Sequence, residues 1–360
     1  MADLAREYTP LEPLGKGSFG EAWKVLRVRD KKVYVWKIVK YAGMEEKKLN
    51  LLKHEVMVLK NLNHPNIVRY RGLIDDPAAG VVRIVMEYCS GGDLAGLIEK
   101  LRESKFVLID IIVFSFCSFF LMLEWMIRQR IPEDEVWKII AQLVYALAYC
   151  HEYSETVTSP NGGTQVKKLV VLHRDIKPGN VFLADKVSCT VKLGDFGLSK
   201  ILNQQEFTQT VLGSPSYMAP EIWQNHPYNE KCDVWSLGCL IHELCMLTAP
   251  FIGSSLADLG SKVIKCRRET IPNTLYSADI ERVVAAMLTT DVCFPIHVVL
   301  SVSFSCCTHL VFLTGEQETI NARFQTCSKD QRKGYYAWPC PNSFCSEWSC
   351  SAFFSHAVFV

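Results

Sequence analysis

The sequence has almost no net charge: 39 Lys and Arg residues balance 38 Asp and Glu residues, which leaves a formal charge of +1. No basic surface for nucleic acid is therefore expected. The first ten residues, MADLAREYTP, lack the apolar stretch of a secretory signal. We therefore expect an intracellular chain whose fifteen cysteines are thiols and not a disulfide framework. With 49% hydrophobic residues in 360, the chain can bury a sizeable core, which excludes global disorder.

Two stretches differ in composition from the rest of the chain. Residues 106–126 contain only two charged side chains, Asp110 and Glu124, and neither glycine nor proline occurs in 106–131. The last 69 residues hold seven of the fifteen cysteines and eight charged residues, and they show no helical or strand periodicity. Both stretches need an explanation separate from that of the remaining sequence.

A glycine-rich motif, L-G-K-G-S-F-G, occupies residues 14–20. Alone it is a weak signal, because three glycines can simply form a turn. In a dinucleotide-binding unit such a motif follows a strand and opens a helix. In a phosphate-covering hairpin it joins two antiparallel strands above ATP. Residues 21–28 and 33–39 both resemble strands and are separated by a Lys-rich turn, so the hairpin is favoured.

Lys37 lies inside the apolar run 33–39. Taken alone, it would be a strand lysine that faces solvent. Residues 44–62 predict a helix in which Glu55 lies in the middle of an apolar face. The apolar residues on this face are Leu51, Leu52, Val58 and Leu59. A carboxylate in such a place requires a partner, and Lys37 is a candidate, because a Lys–Glu pair of this kind orients ATP phosphates.

Three further motifs follow in a fixed order. Residues 173–180 read H-R-D-I-K-P-G-N, the triplet D-F-G begins at Asp195, and A-P-E occupies 219–221. Any one of these triplets could be a turn that contains an acidic residue. Together with the glycine-rich motif and the Lys37–Glu55 candidate pair, these motifs make five elements. Chance does not produce all five in this order and at this spacing.

The residue types in these motifs suit phosphoryl transfer. Asp175 is placed to accept the proton of a substrate hydroxyl, and Lys177 can neutralise the transferred γ-phosphoryl group. Asn180 and Asp195 offer the hard oxygen ligands that Mg²⁺ prefers. The predicted catalytic residues are therefore Asp175, Lys177 and Asn180, the predicted metal ligands are Asn180 and Asp195, and the predicted cofactors are ATP and Mg²⁺.

With these motifs the sequence resembles the eukaryotic protein kinases, and most of all their NIMA-related (Nek) serine/threonine branch. The resemblance covers about residues 8–105 and 130–291. The segments that carry it are V-W-K at 35–37, H-P-N-I-V-R-Y at 64–70, M-E-Y-C at 86–89, G-G-D-L at 91–94 and L-G-D-F-G-L-S-K at 193–200.

The resemblance implies an α+β, two-lobed protein kinase fold. Its small lobe, about residues 8–86, would be an antiparallel sheet with the Glu55 helix. Its large lobe, about 90–291, would be mainly helical, interrupted by the apolar segment 106–129, and 292–360 would be a tail foreign to the fold. The polar stretch 152–168 is expected to be a flexible loop without chemistry.

The resemblance also implies an ATP site. Met86 would be the gatekeeper, and residues 87–89 would form the hinge whose backbone pairs with adenine. The predicted ATP-binding residues are Leu14, Gly15, Lys16, Gly17, Ser18, Gly20, Ala22, Lys37, Glu55, Met86, Glu87 and Cys89.

Further roles follow from the same resemblance. Leu59, His173 and Phe196 would stack in a hydrophobic spine, and Asp233 would brace the backbone of the catalytic loop. Lys177 marks a serine/threonine kinase.

Substrate preference and activation are implied in the same way. Gly179 replaces the Glu of many base-preferring kinases, which argues against a strong preference for basic substrates. Thr208 and Thr210 are candidate phosphorylation sites, because a phosphate there could pair with Arg174 and order the segment. The alternative is that both hydroxyls are solvated loop residues.

Three explanations remain open for residues 106–126. The run is long enough for a transmembrane helix, but a single span would separate Lys37 from Asp175 by about 30 Å of hydrocarbon. Membrane insertion and kinase activity therefore exclude each other. Translated intron is favoured over a genuine soluble insertion. The tail has the same composition, and it begins where the arginine that pairs with Glu221 in the family would be expected. Glu221 is therefore expected to be buried without its usual partner, at a cost in stability.

We expect an active enzyme that phosphorylates protein Ser/Thr hydroxyls, with a role in cell division or microtubule control by analogy. The alternative is a catalytically compromised kinase-like binding protein, because of the insertion and the altered end of the large lobe. ATP and protein substrates are the expected partners, with neither nucleic acid nor membrane. A cytoplasmic location is expected, with a nuclear or cytoskeleton-associated one as the alternative.

Overall fold

The computed structural model describes residues 7–17, 20–41, 46–113, 130–158, 164–168, 170–196 and 215–290. Ser18, Thr208, Thr210, residues 114–129 and the tail 292–360 lie outside these ranges, so the predictions made for them are not addressed by the structure.

A five-stranded antiparallel sheet forms the first part of the fold, in the order β1-β2-β3-β5-β4. The alternation of β3 explains its position, since Tyr34 and Trp36 are buried on one face while Lys37 faces the other way. Val25, Ile74 and Val85 complete the core under that first face. The strands are β1 (Tyr8–Gly17), β2 (Gly20–Arg27), β3 (Val33–Lys40), β4 (Tyr70–Asp76) and β5 (Val81–Glu87).

Helix α1 (Glu46–Asn61) packs against this sheet. Its buried face is formed by Leu52, Val56 and Leu59, at the spacing of one helical stripe. The prediction placed Val58 on this face, but Val58 is only half-buried and Val56 occupies the core position. The face is therefore rotated slightly from the predicted one.

The second part of the fold is mainly helical. At its centre is α5 (Lys231–Met246), in which every residue from Cys232 to Cys245 is buried. The other helices are α2 (Leu94–Val113), α3 (Glu133–His151), α4 (Pro220–Trp223), α6 (Leu256–Ile264) and α7 (Ala278–Met287). Two short strands, β8 (Val181–Leu183) and β9 (Val191–Leu193), pair antiparallel. The predicted two-lobed α+β fold is confirmed.

The polar stretch predicted as a flexible loop contains a β-hairpin. Strands β6 (Ser154–Thr158) and β7 (Thr164–Lys168) pair antiparallel, with Thr156 opposite Val166. The prediction was wrong because it read the Gly-rich turn signal at 159–163 and overlooked the β-favouring Thr and Val residues on both sides of it.

The apolar segment that interrupts the large lobe begins as a continuation of α2, since residues 106–113 are helical. Within the described ranges, no helix combines the length and the apolar character needed to span a bilayer.

Candidate active site

A cleft of about 560 Å³ opens between the sheet and the helical part. Most of the residues predicted for the ATP site and for catalysis line it together. These are Leu14, Gly15, Lys16, Gly20, Ala22, Lys37, Met86, Glu87, Cys89, Asp175, Lys177, Asn180 and Asp195. Gly17 ends β1 directly opposite Gly20. The side chain of Glu55 is outside the described part of α1, so its predicted pairing with Lys37 stays a prediction.

Gly20 shows why the motif requires glycine. Its φ is +146°, and a Cβ atom there would lie 1.7 Å from the carbonyl oxygen of Ile38. Any side chain would force β2 away from β3 at the mouth of the cleft.

Several lining residues were not predicted. They are Glu21, Val35, Val68, Ser90, Gly92, Asp93 and Phe182, whereas Tyr88, which also lines the cleft, belongs to the predicted hinge. Two of them carried a signal in the sequence. Val35 is two residues from Lys37 on the same strand and therefore shares its face. Phe182 follows Asn180 by two residues and is the middle residue of β8. These apolar side chains provide walls for a flat ring.

Lys37 and Asp195 form an ion pair across the cleft, with Nζ 2.8 Å from Oδ1. Asp195 has a φ of +55°, in the left-handed region that non-glycine residues rarely adopt. Arg174 in the catalytic loop has a similar φ of +66°. Strain of this kind persists only where the surroundings hold the backbone, and it concentrates at functional sites.

The catalytic-loop residues converge through direct contacts. Asn180 Nδ2 donates to Oδ2 of Asp175 at 2.9 Å and to the carbonyl of Asp175 at 2.7 Å. Lys177 Nζ lies 2.9 Å from the same Oδ2. Since Nδ2 of Asn180 is engaged in this way, its Oδ1 is the atom left for a cation. Asp195 supplies a carboxylate to the same cleft, so the donor set fits Mg²⁺.

Asp233 braces the catalytic loop as predicted. It is fully buried, and its carboxylate accepts hydrogen bonds from the backbone N–H groups of His173 at 2.9 Å and Arg174 at 2.8 Å. His151 Nε2 lies 3.0 Å from the same carboxylate. Burial alone would raise the pKa of Asp233, but the surrounding hydrogen bonds and charges, those of His151 first among them, together outweigh burial and lower the pKa.

The rings of His173 and Phe196 are in contact, with centroids 4.5 Å apart and planes tilted by 46°, as expected for neighbours in the predicted spine. Nε2 of His173 lies 2.8 Å from the carbonyl oxygen of Gly194. Burial lowers the pKa of His173, so the ring stays neutral and Nε2 donates to this carbonyl. Leu59 is buried on α1.

The side chain of Glu87 is engaged with the protein. Its Oε1 accepts a hydrogen bond from the backbone N–H of Arg69 at 2.7 Å and pairs with Lys192 Nζ at 3.0 Å. The backbone of the hinge is then the part that can pair with a ligand. Next to it, burial raises the pKa of the Cys89 thiol to about 12, so Cys89 is not a nucleophile here.

Glu221 was expected to be buried without its partner, but it is only half-buried. The free-energy cost of an unpaired charge is greatest at full burial, so the cost expected for a buried Glu221 does not apply in full. This weakens one argument for a compromised large lobe.

Comparison with known proteins agrees with this geometry. Residues 8–292 match the family described as Protein kinase domain. The chain is 40% identical over 289 residues to Serine/threonine-protein kinase Nek2 of Homo sapiens, covering 80% of this chain and 57% of that protein. It is 39% identical over 285 residues to Probable serine/threonine-protein kinase nek2 of Dictyostelium discoideum, covering 79% and 59%.

A third relative is G2-specific protein kinase fin1 of Schizosaccharomyces pombe, 42% identical over 262 residues, or 71% of this chain and 33% of that protein. The chain thus spans less than two thirds of the length of each of these relatives. The match over 8–292, the order of the motifs and their convergence on one cleft lead to the same conclusion. This chain belongs to the protein kinase family, and within it to the NIMA-related serine/threonine kinases.

Proposed function

We propose that this chain is a Mg·ATP-dependent serine/threonine protein kinase. The observation that carries the proposal is the convergence of Lys37, Asp195, Asn180, Asp175 and Lys177 on one cleft. Phosphoryl transfer depends mainly on positioning and charge stabilisation. These five side chains are arranged to provide both.

The residues divide the chemistry among them. Asp175 accepts the proton as the acceptor hydroxyl oxygen attacks the γ-phosphorus, and ADP leaves with the electron pair of the broken P–O bond. Lys177, already within ion-pair distance of Asp175, also offsets the charge of the transferred group. Mg²⁺ held by Asp195 and Oδ1 of Asn180 would neutralise phosphate charge.

The nucleotide base lies between apolar walls in this proposal. Four apolar side chains line the same cleft as the hinge: Val35 and Met86 of the sheet, and Val68 and Phe182 outside it. The backbone of residues 87–89 pairs with adenine, and Lys37 binds the α/β-phosphates. Gly17, which ends β1, and Ser18, the next residue in the sequence, are proposed to cover the phosphates.

The acceptor class and the biological role follow the relatives. Lys177 and the names of the relatives support serine and threonine as acceptors, and three relatives are named G2-specific protein kinases. A role in cell division, in the cytoplasm, the nucleus or at the cytoskeleton, is therefore proposed. Thr208 and Thr210 are proposed as regulatory phosphorylation sites.

We also propose the extent of the catalytic domain. It comprises residues 8–291, and the segments 106–129 and 292–360 are foreign to the kinase fold. The match to the protein kinase domain family over residues 8–292 supports only the outer limits of this domain.

The test is transfer by an Asp175→Asn variant. Transfer of phosphate from ATP to a serine peptide should fall by about a thousandfold or more, while ATP affinity stays within about threefold of the parent. Asp185→Asn is the matched control, because Asp185 caps a surface turn by accepting from Val187 and Ser188. Turnover of the Asp175 variant within tenfold of the parent would overturn the assignment, and a tyrosine peptide as the main acceptor would overturn the class.

A further inference from the structure

A second groove, of about 450 Å³, lies in the large lobe between the end of α4 and helix α6. Trp223 forms one wall of this groove. The other wall is one stripe of α6 and the residue that follows it, made of Leu256, Ala257, Gly260, Ser261, Ile264 and Lys265. None of these residues lines the cleft, so the groove stands apart from the proposed phosphoryl transfer.

Helix α6 packs on the large lobe through a different stripe. Leu259 and Val263 are buried, and Gly260 lies against the ring of Trp223, since a Cβ atom there would be 2.8 Å from Cε3. Three large apolar side chains are left half-buried along the groove: Leu256, Ile264 and Trp223. A helix that packs on one side needs a single apolar stripe. The second stripe therefore marks a surface that a partner can cover.

The rim of the groove carries positive charge. Lys265 lines the groove and is exposed, and Arg267, two residues further on, is exposed as well. Neither side chain has an ion-pair or hydrogen-bond partner among the described residues. Near the other end of α6, the carboxylate of Asp258 is already paired with Lys262, with Oδ2 3.0 Å from Nζ. Carboxylates on the occupant would complement this rim.

The size and shape of α6 indicate what fits beside it. Its nine residues rise about 14 Å, which matches two to three turns of a second helix. Ala257 and Ser261 are small, so a helix can approach closely between the larger Leu256 and Ile264. A helix that lies in such a groove presents apolar side chains at i, i+3 or i+4 and i+7. The groove therefore suits a short amphipathic helix.

A second copy of this chain fits the groove less well. Two α6 helices packed against each other would bring the cations of both copies, Lys265 and Arg267, onto one interface. Stable interfaces bury about 1,200–2,000 Å², more than a contact limited to Trp223 and a nine-residue helix can provide. A separate helical segment with acidic flanks avoids both problems.

We propose that the groove between Trp223 and α6 binds a short amphipathic helix of a partner protein. The apolar face of that helix packs between Trp223 and Ile264, and Asp or Glu residues on its flank pair with Lys265. This binding depends neither on ATP nor on the proposed kinase function.

The probe is a fluorescein-labelled, alanine-rich helix of about 16 residues, with leucines at i, i+4 and i+7 and glutamates beside them. One control peptide spreads the same leucines around the helix, and a second carries lysine in place of glutamate. Binding to the full chain is measured by fluorescence anisotropy without ATP. The parent chain should bind the probe at least about tenfold more tightly than either control peptide.

Two pairs of variants locate the binding. Ile264→Asn should weaken binding of the probe by about tenfold, whereas Ile252→Asn should not, because Ile252 is 63% exposed and lies outside the groove. Lys265→Glu should weaken binding of the probe by about threefold and strengthen binding of the lysine peptide. Lys60→Glu is its control, since Lys60 is an exposed lysine in the last turn of α1. Circular dichroism checks that each variant is folded.

The proposal is overturned if the parent binds the probe no better than the peptide with redistributed leucines. It is also overturned if Ile252→Asn weakens binding as much as Ile264→Asn. A parent chain that sediments as a dimer, and that Ile264→Asn converts to a monomer, would overturn it in favour of a second copy in the groove. Absence of phosphate transfer by the parent would contradict the proposed function and leave these binding results unchanged.

Discussion

Lys37 and Asp195 join the two lobes across the cleft, with Nζ 2.8 Å from Oδ1. One residue lies on a strand of the sheet, and the other directly follows β9 and Gly194 of the large lobe. The pair places a positive charge where the phosphates are proposed to bind and a carboxylate where Mg²⁺ is proposed to bind. Closure of the cleft and assembly of the site are therefore linked.

Replacing Lys37 by methionine should weaken ATP binding by about tenfold or more and leave the fold intact. Methionine keeps much of the packing of the lysine stem but offers no charge to the phosphates. The measurement is ATP affinity by calorimetry, with circular dichroism as the check on folding. Lys262→Met is the control, because Lys262 forms a similar 3.0 Å pair with Asp258 on α6. Equal ATP affinity in the two variants would contradict the assignment of Lys37.

Gly91, after the hinge, should not accept a side chain. A Cβ atom there would lie 2.3 Å from the carbonyl oxygen of Asp185 and 2.5 Å from Cβ of Leu183, so the backbone must move. Gly91→Ala should lower the free energy of unfolding by about 1–3 kcal/mol. Gly72→Ala is the control, since nothing lies within 4 Å of a Cβ atom at that position. Similar melting temperatures for both variants would show that the segment at Gly91 adapts freely.

Stability should fall as the pH drops from about 7.5 to 5.5. Burial lowers the pKa of both His173 and His242. For His242, the positive charge of Arg268 lowers the pKa further, while the hydrogen bond of the His242 ring to the Glu269 carbonyl raises it. Below their ordinary pKa of about 6.5, these histidines bind protons in the unfolded chain but not in the folded one. Acid therefore favours unfolding, by at most about 1.4 kcal/mol per pH unit for each histidine.

His242→Gln should flatten this dependence, because one of the two groups is removed. The measurement is the free energy of unfolding by urea at several pH values. A slope in the variant as steep as in the parent would show that His242 does not titrate on unfolding.

Deleting residues 106–129 should leave a folded large lobe. Arg102 and Arg130, on the two sides of the deleted segment, both bind carbonyl groups at the end of α5, so both anchors remain. We expect cooperative thermal unfolding and a higher soluble yield than for the full chain, since the segment is a long apolar run. If the full chain is soluble and unfolds cooperatively but the deletion variant does not, the segment is an integral part of the fold.

The sequence alone was sufficient for the family, the two-lobed fold and most of the cleft. The reason is that the motifs place particular residue types at short, fixed spacings, and the chemistry of phosphoryl transfer requires those types. Asp175, Lys177 and Asn180 occur within six residues of one another, so their convergence needed little knowledge of tertiary structure. Lys37 was assigned to the site from the Glu55 helix and the neighbouring motifs, since its strand alone suggested a lysine that faces solvent.

The tertiary structure decided the contacts between residues far apart in the chain. The pairing of Lys37 with Asp195 and the meeting of Arg102, Tyr217 and Glu243 depend on how the elements pack, which no local pattern records. Packing also decided burial, since Glu221 is only half-buried where the sequence suggested a fully buried charge. Burial is a property of the surrounding surfaces, so a motif determines which group is present, and only the fold determines what surrounds it.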